Sequence, residues 1–405
     1  MDKRSIMMHF PENRISVEFA VDARYPVIFS DAVFAPDNPT LRDVLERART
    51  DGAQPLRARL FLDEGLVAAQ PDLPEQITAY GRQHFPELAA ERPGLYPGGE
   101  TIKNDRAYVD RMIRELAERR MCRHSVVIAA GGGAFLDAVG FAAALVHRGV
   151  RLVRIPSTTL SQDDSGVGTK NGINAAGQKN LIGTFMPPWA VINDFNLLRT
   201  LDRSLTLDGV AEAFKVAIIK DREFFEFLSQ NAPELSDPQS DSLRTAVRRS
   251  AQLHAEHIMT AGDPFETGTA RPLDFGHWAA HRLETMSDYR IRHGQAVAIG
   301  IALDSCYAES AGLIPVDERD AILRALRNAG LPTWDELLET RDETGQLAVL
   351  SGIEQFREHL GGQLAVTFPC PIGRRIELHD MCEEYLRKAI QHLGHAANKP
   401  CQESA

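Results

Sequence analysis

Ser125-Val126-Val127-Ile128-Ala129-Ala130-Gly131-Gly132-Gly133-Ala134-Phe135-Leu136-Asp137-Ala138-Val139-Gly140-Phe141-Ala142-Ala143-Ala144-Leu145-Val146 decides the fold class. From 126 to 146 it is apolar apart from Asp137, and its length alone would suit a membrane span. Three successive glycines and the aspartate argue instead for a strand over 125–130, a tight turn, and a buried helix over 135–146. A strand entering a helix through glycines brings backbone N–H groups and a helix N-terminus close to any anionic ligand. The pattern departs from G-x-G-x-x-G. Taken alone it reads equally as a tight turn with close helix–sheet packing.

The same alternation extends outward. Runs 57–62, 151–155 and 190–193 have strand character, 74–85 and 101–120 have helical period, and 92–99 is a Pro/Gly-rich loop. Strands alternating with helices predict a parallel sheet covered on both faces. Beyond about residue 200 the β signal nearly vanishes. Helices are predicted over 210–220, 241–259, 277–285, 295–311 and 317–329, with a short β return near 364–368 and 375–378. The expected organisation is an α/β Rossmann-like domain over 1–199, a mostly α-helical domain over 200–393, and a flexible polar tail over 394–405.

Composition sets limits. The chain has 405 residues and a formal charge of −11, which disfavours nucleic acid and anionic membranes as partners. Five cysteines, with no C-x-x-C pair, fit a reducing compartment. Residues 1–14 carry no continuous apolar stretch, so a cytoplasmic protein is expected.

Further segments carry chemistry. The run 157–174, followed by Gln178-Lys179-Asn180, is polar, glycine-rich and lysine-bearing just after a strand. Ligands of open α/β sheets bind at such strand ends, and Lys170, Lys179 and Asn180 have the chemistry to clamp a phosphate. In Gly209-Val210-Ala211-Glu212-Ala213-Phe214-Lys215, the acid and base lie three apart. They make either a surface ion pair or a carboxylate ligand with a lysine beside it. His277 and His281 share a helical face, and His293 follows twelve residues on. With Glu212, these imidazoles can hold a divalent metal. The pattern is not H-E-x-x-H, so a metallopeptidase lacks its general base.

In order along the chain, these segments resemble the sugar-phosphate cyclase superfamily, whose founding member is 3-dehydroquinate synthase. The resemblance spans roughly residues 97–373. It implies a Rossmann-like NAD-binding domain joined to a helical metal-binding domain. Contacts to NAD are implied for Glu100, Lys103, Gly131, Gly132, Gly133, Asp137, Ser157 and Thr158. The implied metal ligands are Glu212, His277 and His293, for zinc or cobalt. Asp164, Lys170, Lys215 and His281 take catalytic places. Lys179 and Asn180 bind phosphate, and Arg148 reaches the phosphate of a neighbouring subunit, which implies a homodimer. The implied reaction oxidises a ring hydroxyl transiently with NAD, eliminates phosphate, and closes a carbocycle by an aldol step with NAD regenerated.

Departures from the family pattern bear on the substrate. Dehydroquinate synthases hold a substrate carboxylate with a lysine where this chain has His254, an arginine matched with a shift by Arg271, and a further lysine replaced around His359 in Arg357-Glu358-His359-Leu360-Gly361-Gly362. Their usual asparagine before F-G-H is Asp274 here. These positions look more like the cyclases of sedoheptulose 7-phosphate, whereas His281 resembles dehydroquinate synthase. The expected substrate is a seven-carbon ketose 7-phosphate of the sedoheptulose type. The alternatives are 3-dehydroquinate synthase itself and a metal-dependent polyol or alcohol dehydrogenase on a related fold.

Overall fold

Among the described residues, six parallel strands form the sheet of the first half: β1 (Val27–Ser30), β2 (Ala58–Asp63), β3 (Gly94–Tyr96), β4 (Val126–Gly131), β5 (Arg151–Pro156) and, after the hairpin β6 (Lys170–Ala175)–β7 (Gln178–Phe185), β8 (Ala190–Asp194). Their order is β1-β8-β5-β4-β2-β3, and every pairing is parallel. The computed structural model describes residues 21–49, 56–86, 92–260 and 273–397, together with Val17, Phe19 and Phe265.

Alternating side chains on the same strands serve both faces of the sheet. Leu60, Leu62, Ile128 and Ile155 join one buried cluster with Leu41, Leu45 and Tyr80, from helices α1 (Thr40–Glu46) and α3 (Leu73–His84). The short α2 (Glu64–Ala69) lies between those helices in sequence. Phe61, Val127, Ala129 and Leu152 face the other way, towards Met112, Phe135 and Val139. That second layer is built from α4 (Glu100–Asn104), α5 (Arg106–Glu118) and α6 (Gly133–Leu145). The chain leaves β2 towards β3 on one side and β4 towards β5 on the other. The sheet therefore has its switch point between β2 and β4, where open α/β sheets hold their ligands.

The second half is helical: α7 (Arg203–Lys220), α8 (Arg222–Gln230), α9 (Asp241–Thr260), α10 (His277–Met286), α11 (His293–Ser310), α12 (Val316–Ala329), α13 (Ser351–His359) and α14 (Glu383–Ala397), with the antiparallel pair β9 (Val366–Pro369)–β10 (Arg375–Leu378). Helices α7 and α11 are buried along nearly their whole length, so they form the centre around which the others pack.

Several expectations are corrected. The helix expected over 101–120 breaks at Asp105, which is extended (φ −122°, ψ 105°) and accepts a bond from Ala107 N at 2.9 Å. An aspartate that caps a new helix competes with continuing the old one. The loop 92–99 contains β3. The polar run after Pro156 is ordered as a π-helical turn (Ser161–Ser165) and the β6–β7 hairpin. The hairpin turns through Ala176 and Gly177, both at positive φ (50° and 72°). Helix α7 starts at Arg203 because the Asp202 side chain caps it, accepting from Leu205 N at 2.8 Å. The tail expected from Gly394 is helical as far as Ala397, because Leu393 and Gly394 are buried as α14 packs on the core. Residues 398–405 lie outside the described residues.

Candidate functional site

At the switch point, Asp63 ends β2 with its side chain buried. One carboxylate oxygen accepts from Gly65 N (2.8 Å), capping α2, and the other from Gly132 N (3.4 Å). Asp63 was not among the sequence candidates, although a strand ending in Asp-Glu-Gly carried the signal. The three glycines of the turn differ in their reasons. A Cβ on Gly131 would stand 2.6 Å from the Phe135 ring, and one on Gly133 2.5 Å from Ser165 Oγ, so close packing explains both. Gly132 has an ordinary φ of −72°, and the nearest atom to a Cβ there would be 3.5 Å away. Neither strain nor packing demands glycine at that point, which suits close approach of a ligand to the α6 N-terminus.

The other cofactor candidates gather here. Ser157 N donates to Gly131 O (2.9 Å), and Thr158 Oγ1 pairs with Ser161 Oγ (2.8 Å). Lys103 is buried and bonds both Asp137 (2.7 Å) and Asn180 Oδ1. Asp137, a lone acid in an apolar helix, thus finds its partner in another candidate. Glu100 accepts from Asn174 (2.8 Å).

Beneath the hairpin, Arg154 from β5 is fully buried. Its guanidinium donates to the carbonyls of Gly166 (3.1 Å), Gly168 (2.7 Å) and Lys170 (2.8 Å), and to Asn171 Oδ1 (2.7 Å). It fixes the path of the chain between Asp164 and the exposed Lys170. Sequence reading missed it, because an arginine within a mostly apolar strand carries no motif.

The second cluster lies where α7, α10 and α11 meet. Gly276, at φ 78°, precedes α10, and a Cβ there would be 2.8 Å from Ile301 N. The bare backbone lets the start of α10 press on α11, which sets His277 beside His293. Buried Asp304 holds that turn, accepting from Gly276 N (3.0 Å) and Trp278 Nε1 (2.9 Å). Glu212 Oε1 faces His293 Nε2 at 3.2 Å and His277 Nε2 at 3.6 Å, while the Lys215 ammonium sits against Oε2. Both Glu212 oxygens are buried with no hydrogen bond, met only by charge contacts. One ligand atom from each of Glu212, His277 and His293 lies within 4.8 Å of the others. A carboxylate and two imidazoles around orphaned buried oxygens fit a divalent ion of the zinc or cobalt type.

Charge within the cluster follows from proximity. Burial, with Lys215 close by, lowers His277 to about 4, which leaves its Nε2 lone pair free while Nδ1 pairs with Phe275 O (3.1 Å). Burial opposes a charge on His293, yet Glu284 and Glu212 raise it to about 10. Two carboxylates facing one imidazole draw a cation to this point. Burial likewise opposes charge on Lys215, but Asp164 and Glu212 hold it protonated, above its ordinary value. Asp164 lies 4.0 Å from Lys215 Nζ and 2.7 Å from His254 Nδ1.

The other candidates differ in how they meet this cluster. His281 borders it from the exposed side, its ring 5.5 Å from that of His277 and 6.0 Å from that of His293. Lys179 is engaged by Glu284 (2.8 Å), a buried acid absent from the sequence candidates although it lies one helical face along from His277. Arg148 is exposed beyond the C-terminal end of α6, at the opposite end of that helix from the glycine turn. It is thus not gathered into this chain's own cleft. Asp274 lies close enough to Lys215 to favour its charge. Arg271 and the side chain of His359 lie outside the described residues.

Comparison with known proteins matches the same two halves. Residues 95–207 match the 3-dehydroquinate synthase N-terminal family and residues 209–348 the 3-dehydroquinate synthase C-terminal family. The chain is 35% identical over 284 residues to the 2-epi-valiolone synthase of Actinosynnema mirum, covering 70% of this chain and 73% of that one. It is 39% identical over 257 residues to the 3-dehydroquinate synthase of Nitratiruptor sp., covering 62% and 72%. The 2-epi-5-epi-valiolone synthase of Streptomyces hygroscopicus subsp. jinggangensis 5008, solved with NAD+ and Zn2+, superposes with a TM-score of 0.80 at 26% identity, over 94% of this chain and all of that one. With its switch-point crevice, its Glu-His-His cluster and these relatives in both halves, the chain belongs to the 3-dehydroquinate synthase-like sugar-phosphate cyclases.

Proposed function

We propose that this cyclase is NAD- and divalent-metal-dependent, a carbon–oxygen lyase that releases phosphate from a seven-carbon ketose 7-phosphate of the sedoheptulose type and closes a carbocycle. The observation that carries the substrate choice is the 2.7 Å pairing of His254 with Asp164, in a cleft where Asp274 also faces Lys215. A substrate carboxylate at that end would meet two acids, with the histidine already engaged. A neutral hydroxymethyl end avoids the like-charge contact.

Bound NAD supplies reversible hydride acceptance, and the divalent ion supplies Lewis-acid polarisation of a substrate oxygen. Glu212, His277 and His293 would hold the ion. Gly132, Asp63 and the Lys103–Asp137 pair would line the NAD crevice with Glu100, Gly131, Gly133, Ser157 and Thr158. Lys215, kept protonated by Asp164 and Glu212, is placed to orient substrate hydroxyls and hold developing negative charge. Although burial opposes its charge, Asp164 is held ionised by Lys215 and His254 and would accept hydrogen bonds from substrate hydroxyls. Lys170, Lys179, Asn180 and His281 would take the phosphate, joined by Arg148 from a second copy in a homodimer.

The test offers sedoheptulose 7-phosphate and 3-deoxy-arabino-heptulosonate 7-phosphate separately, with NAD and zinc or cobalt. Phosphate release and carbocycle mass are followed. Phosphate release from the first without net NADH supports the reading. Efficient turnover of the second alone overturns the substrate choice in favour of 3-dehydroquinate synthase, and net NADH formation without phosphate release points to a dehydrogenase. Asp274→Asn is expected to raise turnover of the carboxylate substrate about tenfold, or ~1.4 kcal/mol. An unchanged ratio between the two substrates would remove Asp274 from the specificity account.

A further inference from the structure

His293 touches acids at both ring nitrogens. Nε2 faces Glu212 Oε1 at 3.2 Å, and Nδ1 faces Glu284 Oε2, also at 3.2 Å. His277 is oriented by a different device, the neutral carbonyl of Phe275 two residues away. Glu284 is a buried charge carried in from the third turn of α10, and its second oxygen is occupied as well: Oε1 accepts from Lys179 Nζ at 2.8 Å. Lys179 in turn lies 3.6 Å from Glu100 and 4.8 Å from the centre of the Tyr289 ring. With both oxygens engaged, the carboxylate has one orientation.

Glu284, His281 and His293 also bring donor atoms within 4.8 Å of one another, a set that by itself can attract a cation. The Lys179 ammonium already meets the Glu284 carboxylate at that place. The acid is thereby neutralised from one side and left to accept a ring N–H from the other.

We propose that Glu284 is a positioning residue that fixes the tautomer and ring orientation of His293 as a metal ligand, and that Lys179 of the β6–β7 hairpin holds Glu284 in register. The inference rests on reading Glu212, His277 and His293 as the metal site. A carboxylate behind a ligating imidazole keeps the proton on the distal nitrogen and turns the proximal lone pair towards the ion. The path Lys179–Glu284–His293–Glu212 then ties the hairpin of the N-terminal domain to the centre of the helical domain.

The test is Co2+ binding to the full chain, by chelator competition and by the visible absorption spectrum of the cobalt protein, in wild type, Glu284→Ala and Glu284→Gln. NAD affinity and far-UV circular dichroism serve as controls that the variants are folded. Glu284→Ala is expected to weaken Co2+ binding by about 10–100-fold with a shifted spectrum. Glu284→Gln is expected to recover part of the loss, because its amide oxygen still accepts the Nδ1 proton. An alanine variant that keeps wild-type affinity and spectrum overturns the positioning role, as does a glutamine variant as weak as the alanine one. A wild type that binds no Co2+ overturns the metal reading itself, and the inference with it.

Discussion

The switch-point crevice and the metal cluster are built on opposite principles. The crevice is made of backbone at the ends of neighbouring strands: Gly132 N, the α6 N-terminus and Asp63 lie together because β2 and β4 pair. The cluster is made of side chains carried in by three helices, with Glu212, His277 and His293 spread over 82 residues of sequence. Backbone sites inherit their geometry from the sheet. Side-chain clusters must be oriented residue by residue, which is why Asp304, Lys215 and Glu284 surround the second site and have few counterparts at the first.

That contrast can be broken in order of expected effect. His277→Ala should remove the bound metal and lower turnover on the order of 1000-fold, several kcal/mol; stoichiometric metal retained in the purified variant, by elemental analysis, would refute the ligand assignment. Arg154→Ala should destabilise the fold by about 3–5 kcal/mol, because its removal leaves buried carbonyls unpaired. Denaturant midpoints close to wild type would show that water replaces the guanidinium.

Asp304 tests the helical side through pH. Burial pushes its carboxyl from 3.8 up to about 7. Between those values the native state holds a proton that the unfolded state has lost, so this group's contribution to stability falls as pH rises through the window. The full difference is on the order of 4 kcal/mol. The stability of wild type relative to Asp304→Asn should therefore decline from about pH 4 to about pH 7. A parallel pair of melting curves across that range would contradict the assignment.

On the backbone side, Asp63→Ala should cost about 1 kcal/mol through the lost α2 cap and weaken NAD binding by a similar amount. NAD affinity equal to wild type, measured by fluorescence titration, would make Asp63 a helix cap only.

Legibility in the sequence follows the same division. Strand β4, the glycine turn and α6 are contiguous, so periodicity and turn chemistry expose them directly. The hairpin β6–β7 escaped because its polar, glycine-rich strands carry little apolar alternation and its turn is Ala-Gly. Strand β3, three residues long, owes its existence to pairing with β2. Arg154 looked like an interruption in a strand until its four acceptors were seen beneath the hairpin.

The amino-acid order alone carries the alternating α/β first half, the helical second half, and the residue types able to hold a phosphate and a metal, because each of these is written in local spacing; the nicotinamide cofactor entered through the family resemblance. Tertiary packing alone settles which oxygen of Glu212 meets the imidazoles, that Lys179 is held by Glu284, that Asp164 pairs with His254, and that Arg148 stands apart from its own chain's cleft. The meeting of the two ligand imidazoles, for one, depends on the start of α10 approaching α11 through bare glycine backbone at Gly276, and no local pattern encodes a distance between elements far apart in the chain.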